Sequence, residues 1–155
     1  MKYQQLTKEQ LEEFHEEFAV FLASQQITKE EWEDIKTNKP EVAEDELNLF
    51  SDVVWHKVLD NVYYLEHFSQ KSLNLFKCLD DQIQRIVVQV DKFDFDFLDK
   101  DDFNWFLDQS KDPSISYFRG QKVYSSERNL ELFDLIQKGS VISKGELFNA
   151  IEKLL

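Results

Sequence analysis

The sequence predicts an α+β fold in which N-terminal helices and a C-terminal helical hairpin pack on a small antiparallel β-sheet. Two observations carry that prediction. Capping boxes of the form Ser/Thr-x-x-Glu/Gln at Thr7, Thr28 and Ser143 stand ahead of apolar residues at helical spacing. Between them, from Val62 to Phe97, the chain turns to aromatic and β-branched residues that alternate with polar ones. The length of 155 residues suits a single domain, residues 1–155, when domains most often run to roughly 100 to 150 residues. The 14 Phe, 5 Tyr and 3 Trp supply apolar area for its core. With only 3 Gly and 2 Pro, the chain has no room for Gly-rich phosphate loops or long flexible linkers.

Taken in order, Thr7-Lys8-Glu9-Gln10 opens a helix expected over Lys8 to Ser24, with Leu11, Phe14, Phe18 and Phe21 on its inner face and Glu12, Glu13, Glu16 and Glu17 on the other. Thr28-Lys29-Glu30-Glu31, flanked by Ile27 and Trp32 in the positions of a hydrophobic staple, starts a short helix that ends before Pro40. A third helix from about Glu41 to Leu59 follows from the stripe Val42, Leu47, Phe50, Val54 and Val58. The runs 62–68 and 73–79, joined by Ser69-Gln70-Lys71-Ser72, read as a β-hairpin. Ile83 to Val90 is a third strand, and Phe93, Phe95 and Phe97 alternate with Asp94 and Asp96 as its extension, beyond a bulge or turn near Asp91-Lys92.

Asp99 to Gln109 is expected to be helical, its first turn rich in the acids that the helix dipole favours. Ile115 to Tyr124 is expected as two short extended pieces around a turn at Arg119-Gly120. Ser125 or Ser126 then caps a helix to Lys138, Gly139 closes it, and Ser143-Lys144-Gly145-Glu146 opens the last helix. The helices thus occupy about 8–59 and 99–154, and the β-rich part 62–97.

The segments Met1 to Thr7, Tyr64 to Ser69 and Ile142 to Phe148 resemble those of an uncharacterised family of short Bacteroidota proteins, a domain of unknown function, and the likeness spans nearly the whole chain. The resemblance implies a bacterial cytoplasmic protein and transfers no site residue.

Charge and spacing narrow the chemistry. The net charge of -13 opposes binding to duplex DNA and to anionic membrane surfaces. It is unevenly spread: residues 1–60 carry 15 acids and 6 bases, whereas 111–155 carry 6 and 7. No apolar run reaches the roughly 20 residues of a bilayer crossing, and the polar start of the chain lacks a signal-peptide core. A lone Cys78 allows no internal disulfide and fits a reducing, cytoplasmic setting.

Catalytic and metal signatures are weak. His67 is the base nearest to Cys78, but a two-residue turn at Gln70-Lys71 sets His67 opposite Asn74 and Tyr63 opposite Cys78, about 13 Å apart along the strands. Cys78 therefore reads as a buried structural residue. His15, His56 and His67 stand alone, without ligand spacing, and the acids from Asp91 to Asp102 are out of EF-hand register, so no metal and no cofactor is expected. Glu66 is unusual as an acid in mid-strand, where an exposed strand face is the ordinary explanation.

The expected function is non-catalytic: an interaction or regulatory module whose acidic helical face, with Glu12, Glu13, Glu16 and Glu17, binds a partner protein with a basic surface. The alternative rests on residues 117–128, which combine aromatics, hydroxyls and the cations Arg119, Lys122 and Arg128 just ahead of a helix start. It is an accessory factor that binds RNA or a nucleotide phosphate there.

Overall fold

In the computed structural model, residues 1–155 form seven helices and one five-stranded antiparallel sheet, which is the expected α+β class. The chain divides into two compact units, Met1–Asp60 and Asn61–Leu155. No helix is long and apolar enough to cross a membrane.

The first unit is helical because its capping boxes and apolar stripes agree. The Thr7 hydroxyl accepts from the Gln10 amide at 3.2 Å and the Gln10 side chain accepts from the Thr7 amide at 2.9 Å, a reciprocal box that starts α1 (Lys8–Glu13). The continuous helix expected to Ser24 is interrupted at Phe14, and α2 runs His15–Ser24. At the interruption the His15 Nδ1 lies 2.9 Å from the Glu12 carbonyl, which can only accept, so the ring nitrogen donates to it. Thr28 caps α3 (Lys29–Asn38) through the Glu31 amide, and α4 (Pro40–Asp60) begins on Pro40, where a missing amide hydrogen costs nothing.

Leu22, Trp32 and Ala43 form the buried centre of this unit, with Phe18, Ile27, Ile35 and Leu47 packed around it. Phe18 meets Trp32 edge-on, with ring centroids 5.2 Å apart. Ser51, fully buried in α4, donates to the Leu47 carbonyl and accepts from the Leu6 amide, while Asp52 accepts from the amides of Lys2 and Tyr3. The polar N-terminal strand of residues is thereby tied to α4.

The second unit is built on β1 (Tyr64–Phe68), β2 (Ser72–Cys78), β3 (Gln82–Val90), β4 (Ile115–Val123) and β5 (Val141–Ser143), in the order β4-β3-β2-β1-β5. The hairpin turns at Gln70-Lys71 in the register read from the sequence: His67 faces Asn74 and Leu65 faces Phe76. Alternation then sorts the side chains. One face carries Leu73, Leu75, Ile86, Val88 and Ile115 into a core shared with Phe106 of α5 (Lys100–Asp108) and with Phe148 and Ile151 of α7 (Glu146–Glu152).

Further expectations need correction in the second unit. Phe93 to Phe97 is a loop and not a strand: Phe95 and Phe97 turn inward and stack edge-on at 4.8 Å, the Phe97 amide bonds the Gln70 carbonyl, and Phe93 is 99% exposed. The alternation was a loop clamped by two aromatic anchors, with no neighbouring strand to pair. Ile115–Val123 is one uninterrupted edge strand, without a turn at Arg119-Gly120, because its whole length is paired with β3 from Val90 to Gln82. Finally, the C-terminal hairpin of helices is broken by β5 between α6 (Arg128–Gln137) and α7, since the free edge of β1 offers Val141 to Ser143 a ladder. Gly139 (φ +110) ends α6 as expected, but Gly145 (φ +84), not Ser143, occupies the cap of α7, and the Ser143 hydroxyl accepts from the Gly145 amide instead.

Candidate functional site

The acidic face is made by the first two helices. Glu12 and Glu16, and likewise Glu13 and Glu17, are four residues apart, all four are exposed, and none has a cation within ion-pair distance. Like charges at that spacing on one helix repel by a few tenths of a kcal/mol, and here the interruption at Phe14 puts Glu12 and Glu13 on α1 and Glu16 and Glu17 on α2. Residues 1–60 hold 15 acids and 6 bases, a charge of -9, against 16 acids and 12 bases in 61–155.

The cations of the 117–128 segment are arranged differently. Because β4 is continuous, Arg119 and Lys122 point to opposite faces of the sheet. Arg119 donates to Glu152 of α7 at 2.7 Å. Lys122 lies 3.3 Å from Glu131, whose carboxylate also accepts from the Ser125 hydroxyl at 2.6 Å and from the Ser125 and Ser126 amides. Burial alone would raise the Glu131 carboxyl; these donors outweigh it and hold it below the ordinary range.

Arg128 turns inward. Its guanidinium donates to the carbonyls of Leu79 (3.1 Å), Cys78 (3.2 Å) and Val62 and to the Asn129 side chain (2.9 Å), and it lies over the Tyr63 ring. The Tyr124 hydroxyl donates to the Leu79 carbonyl as well, and burial pushes its pKa up to about 12. The three cations therefore do not form one cluster: Arg119 engages Glu152, Lys122 engages Glu131, and Arg128 engages the carbonyls of Val62, Cys78 and Leu79.

The sheet surface holds residues which sequence reasoning passed over. Lys122 shares its sheet face with Phe118 and Gly120 on β4, and β3 sets Val87 opposite Phe118 and Arg85 opposite Gly120. The Arg85 guanidinium is held by the Asn74 side chain at 2.5 and 3.0 Å and lies over the Phe76 ring, with no carboxylate beside it. The phase of Ile83, Arg85 and Val87 against the hairpin register was the available signal, but it needed the position of β4 to become a site.

Cys78 is fully buried, and burial pushes its thiol up to about 12 against the smaller opposing pull of Arg128. His67 is four ladder positions from it, since the Cys78 amide donates to the Tyr63 carbonyl. No group of three His, Cys, Asp or Glu side chains converges in metal-binding geometry. Glu66 is half-buried on the core face, at a cleft of about 620 Å³ with Phe68, Phe103 and Leu147. We expect native Cys78 to react with a bulky maleimide at least about a hundredfold more slowly than a free thiol. Second-order labelling rates at pH 7 check this, and a rate near that of glutathione would contradict it.

No curated protein and no solved structure matches the chain. A family model does match it, over residues 1–155. The chain belongs to that family, a family of unknown function (DUF6495).

Proposed function

We propose that this protein is a non-catalytic interaction module of the bacterial cytoplasm, of Bacteroidota origin, that uses the acidic face of its N-terminal helices to bind a basic surface on a partner protein. One observation supports this reading above others: Glu12, Glu13, Glu16 and Glu17 are exposed and without cations, whereas Arg119 and Arg128 are engaged within the protein itself. Unneutralised charge of one sign raises encounter rates with the opposite sign and repels the wrong partners. The single buried cysteine suits a reducing compartment.

The test is zero-length carbodiimide cross-linking in lysate followed by peptide mapping, because that reagent joins a carboxylate only to an amine in contact with it. The expected result is a set of bonds between Glu12, Glu13, Glu16 or Glu17 and lysines of one protein. Cross-links confined to carboxylates of residues 61–155 would remove the acidic helices from the interface.

A further inference from the structure

We propose that the sheet face around Gly120 is a binding site for a mononucleotide, a ligand with one flat aromatic ring and one phosphate group. The argument starts from the glycine. A glycine inside a strand usually serves a positive φ, a bulge or a close approach of neighbouring atoms. Gly120 serves none of these: its φ is not positive, the β3–β4 ladder runs through it without a bulge, and a Cβ built there would meet nothing within 4 Å. The strand itself gains nothing from having no side chain at this position, so the open space above it is the feature to explain.

Three side chains surround that space. Phe118 and Lys122 lie two residues to either side on the same face, and Arg85 stands directly opposite on β3. Together with Ile83 and Val87 they line a shallow pocket of about 370 Å³. Phe118 is 54% exposed, an aromatic ring left uncovered on a sheet surface, and offers its face to a base. Arg85 is fixed in place by Asn74 and Phe76 yet keeps its charge unpaired, which suits a fork donating to phosphate oxygens. Lys122 is 62% exposed and lines the same pocket, with its ammonium 3.3 Å from Glu131.

Diagonal neighbours across an antiparallel pair lie roughly 7 to 8 Å apart. A ring stacked on Phe118 therefore sets its phosphate near Arg85 and Lys122, with Gly120 leaving room for the sugar between them. The -13 charge of the chain penalises each further phosphate, so a single nucleotide fits better than a strand of nucleic acid. This site is independent of the acidic helices and stands or falls without them.

The experiment is a ¹H–¹⁵N NMR titration of the full chain with AMP, with adenosine, inorganic phosphate and an adenylate octamer as separate probes. AMP is expected to give saturable shifts at Arg85, Val87 and Phe118 to Lys122, and adenosine or phosphate alone to bind roughly tenfold more weakly. Gly120→Val, whose added carbons face open space, should fold normally and weaken AMP by roughly tenfold or more; Arg85→Gln, which leaves the strand intact, should do the same. Absence of shifts at about 10 mM AMP, shifts elsewhere, or unchanged affinity in both variants would overturn the proposal. Tighter binding of the octamer than of AMP would overturn the mononucleotide assignment in favour of a single strand.

Discussion

Replacing Arg128 by alanine is expected to destabilise the second unit by about 3 kcal/mol. Its guanidinium is the donor for the carbonyls of Val62, Cys78 and Leu79, and Val62 and Cys78 are buried residues. The Leu79 carbonyl keeps the Tyr124 hydroxyl as a donor, and the Val62 and Cys78 carbonyls, left without Arg128, cost about 1 to 3 kcal/mol each, which partial relaxation brings to the stated figure. Lysine should recover less than half of the loss, because one ammonium cannot reproduce a planar fork that reaches three carbonyls and Asn129 at once. Urea unfolding followed by far-ultraviolet circular dichroism measures both variants. If Arg128 were held in readiness for an anionic ligand instead, its removal would leave the midpoint nearly unchanged, so a loss below about 1 kcal/mol contradicts the structural role.

Gly145→Ala is expected to cost about 3 kcal/mol as well, for a different reason. The residue sits at φ +84 at the start of α7, a conformation that disfavours any side chain, and a Cβ there would lie 2.5 Å from carbons of the Tyr64 ring. Tyr64 cannot simply move away, since its ring packs at 5.8 Å from that of Phe148, which is buried in the core. Gly139→Ala shares the positive φ, but its Cβ would press only on the end of the His67 ring at 3.2 Å, so its cost should be about half as large. Gly120→Ala, with nothing in its way, should be neutral or stabilising by about 0.5 kcal/mol. Thermal melts of the three single variants check the order, and equal effects at all three would show that the close approach at Tyr64 is not what determines the loss.

Local signals were legible in the sequence wherever one short-range interaction decides the outcome. The Thr7 and Thr28 caps, the two-residue turn at Gln70-Lys71 and the closing Gly139 are all contained within a few residues, and the structure places them as read. The failures share the opposite property. Phe93 to Phe97 alternates like a strand, but whether it pairs depends on a partner strand that is not there, and two buried rings make the same pattern in a loop. Arg119-Gly120 looks like a turn until β3 claims the whole of 115–123, and Val141 to Ser143 looks like an interhelical loop until the edge of β1 pairs with it. The grouping of Arg119, Lys122 and Arg128 failed for the same reason: proximity along the chain became opposite faces of a sheet once the strand was continuous. The exposed carboxylates of Glu12, Glu13, Glu16 and Glu17 were legible because helical spacing alone separates them from the apolar stripe.

The central claim is that capture of the partner is driven by the acidic helices. It is tested most directly by association rates measured in stopped flow with the protein that cross-linking identifies, at low and at high salt. The variant with Glu12, Glu13, Glu16 and Glu17 changed to Lys should keep the native melting temperature and associate roughly tenfold more slowly at low salt, with the difference shrinking as salt is added. The Arg119→Ala, Lys122→Ala variant, which spares the structural Arg128, should associate at the native rate. Native-like association of the glutamate variant together with a slowed cation variant would contradict the account.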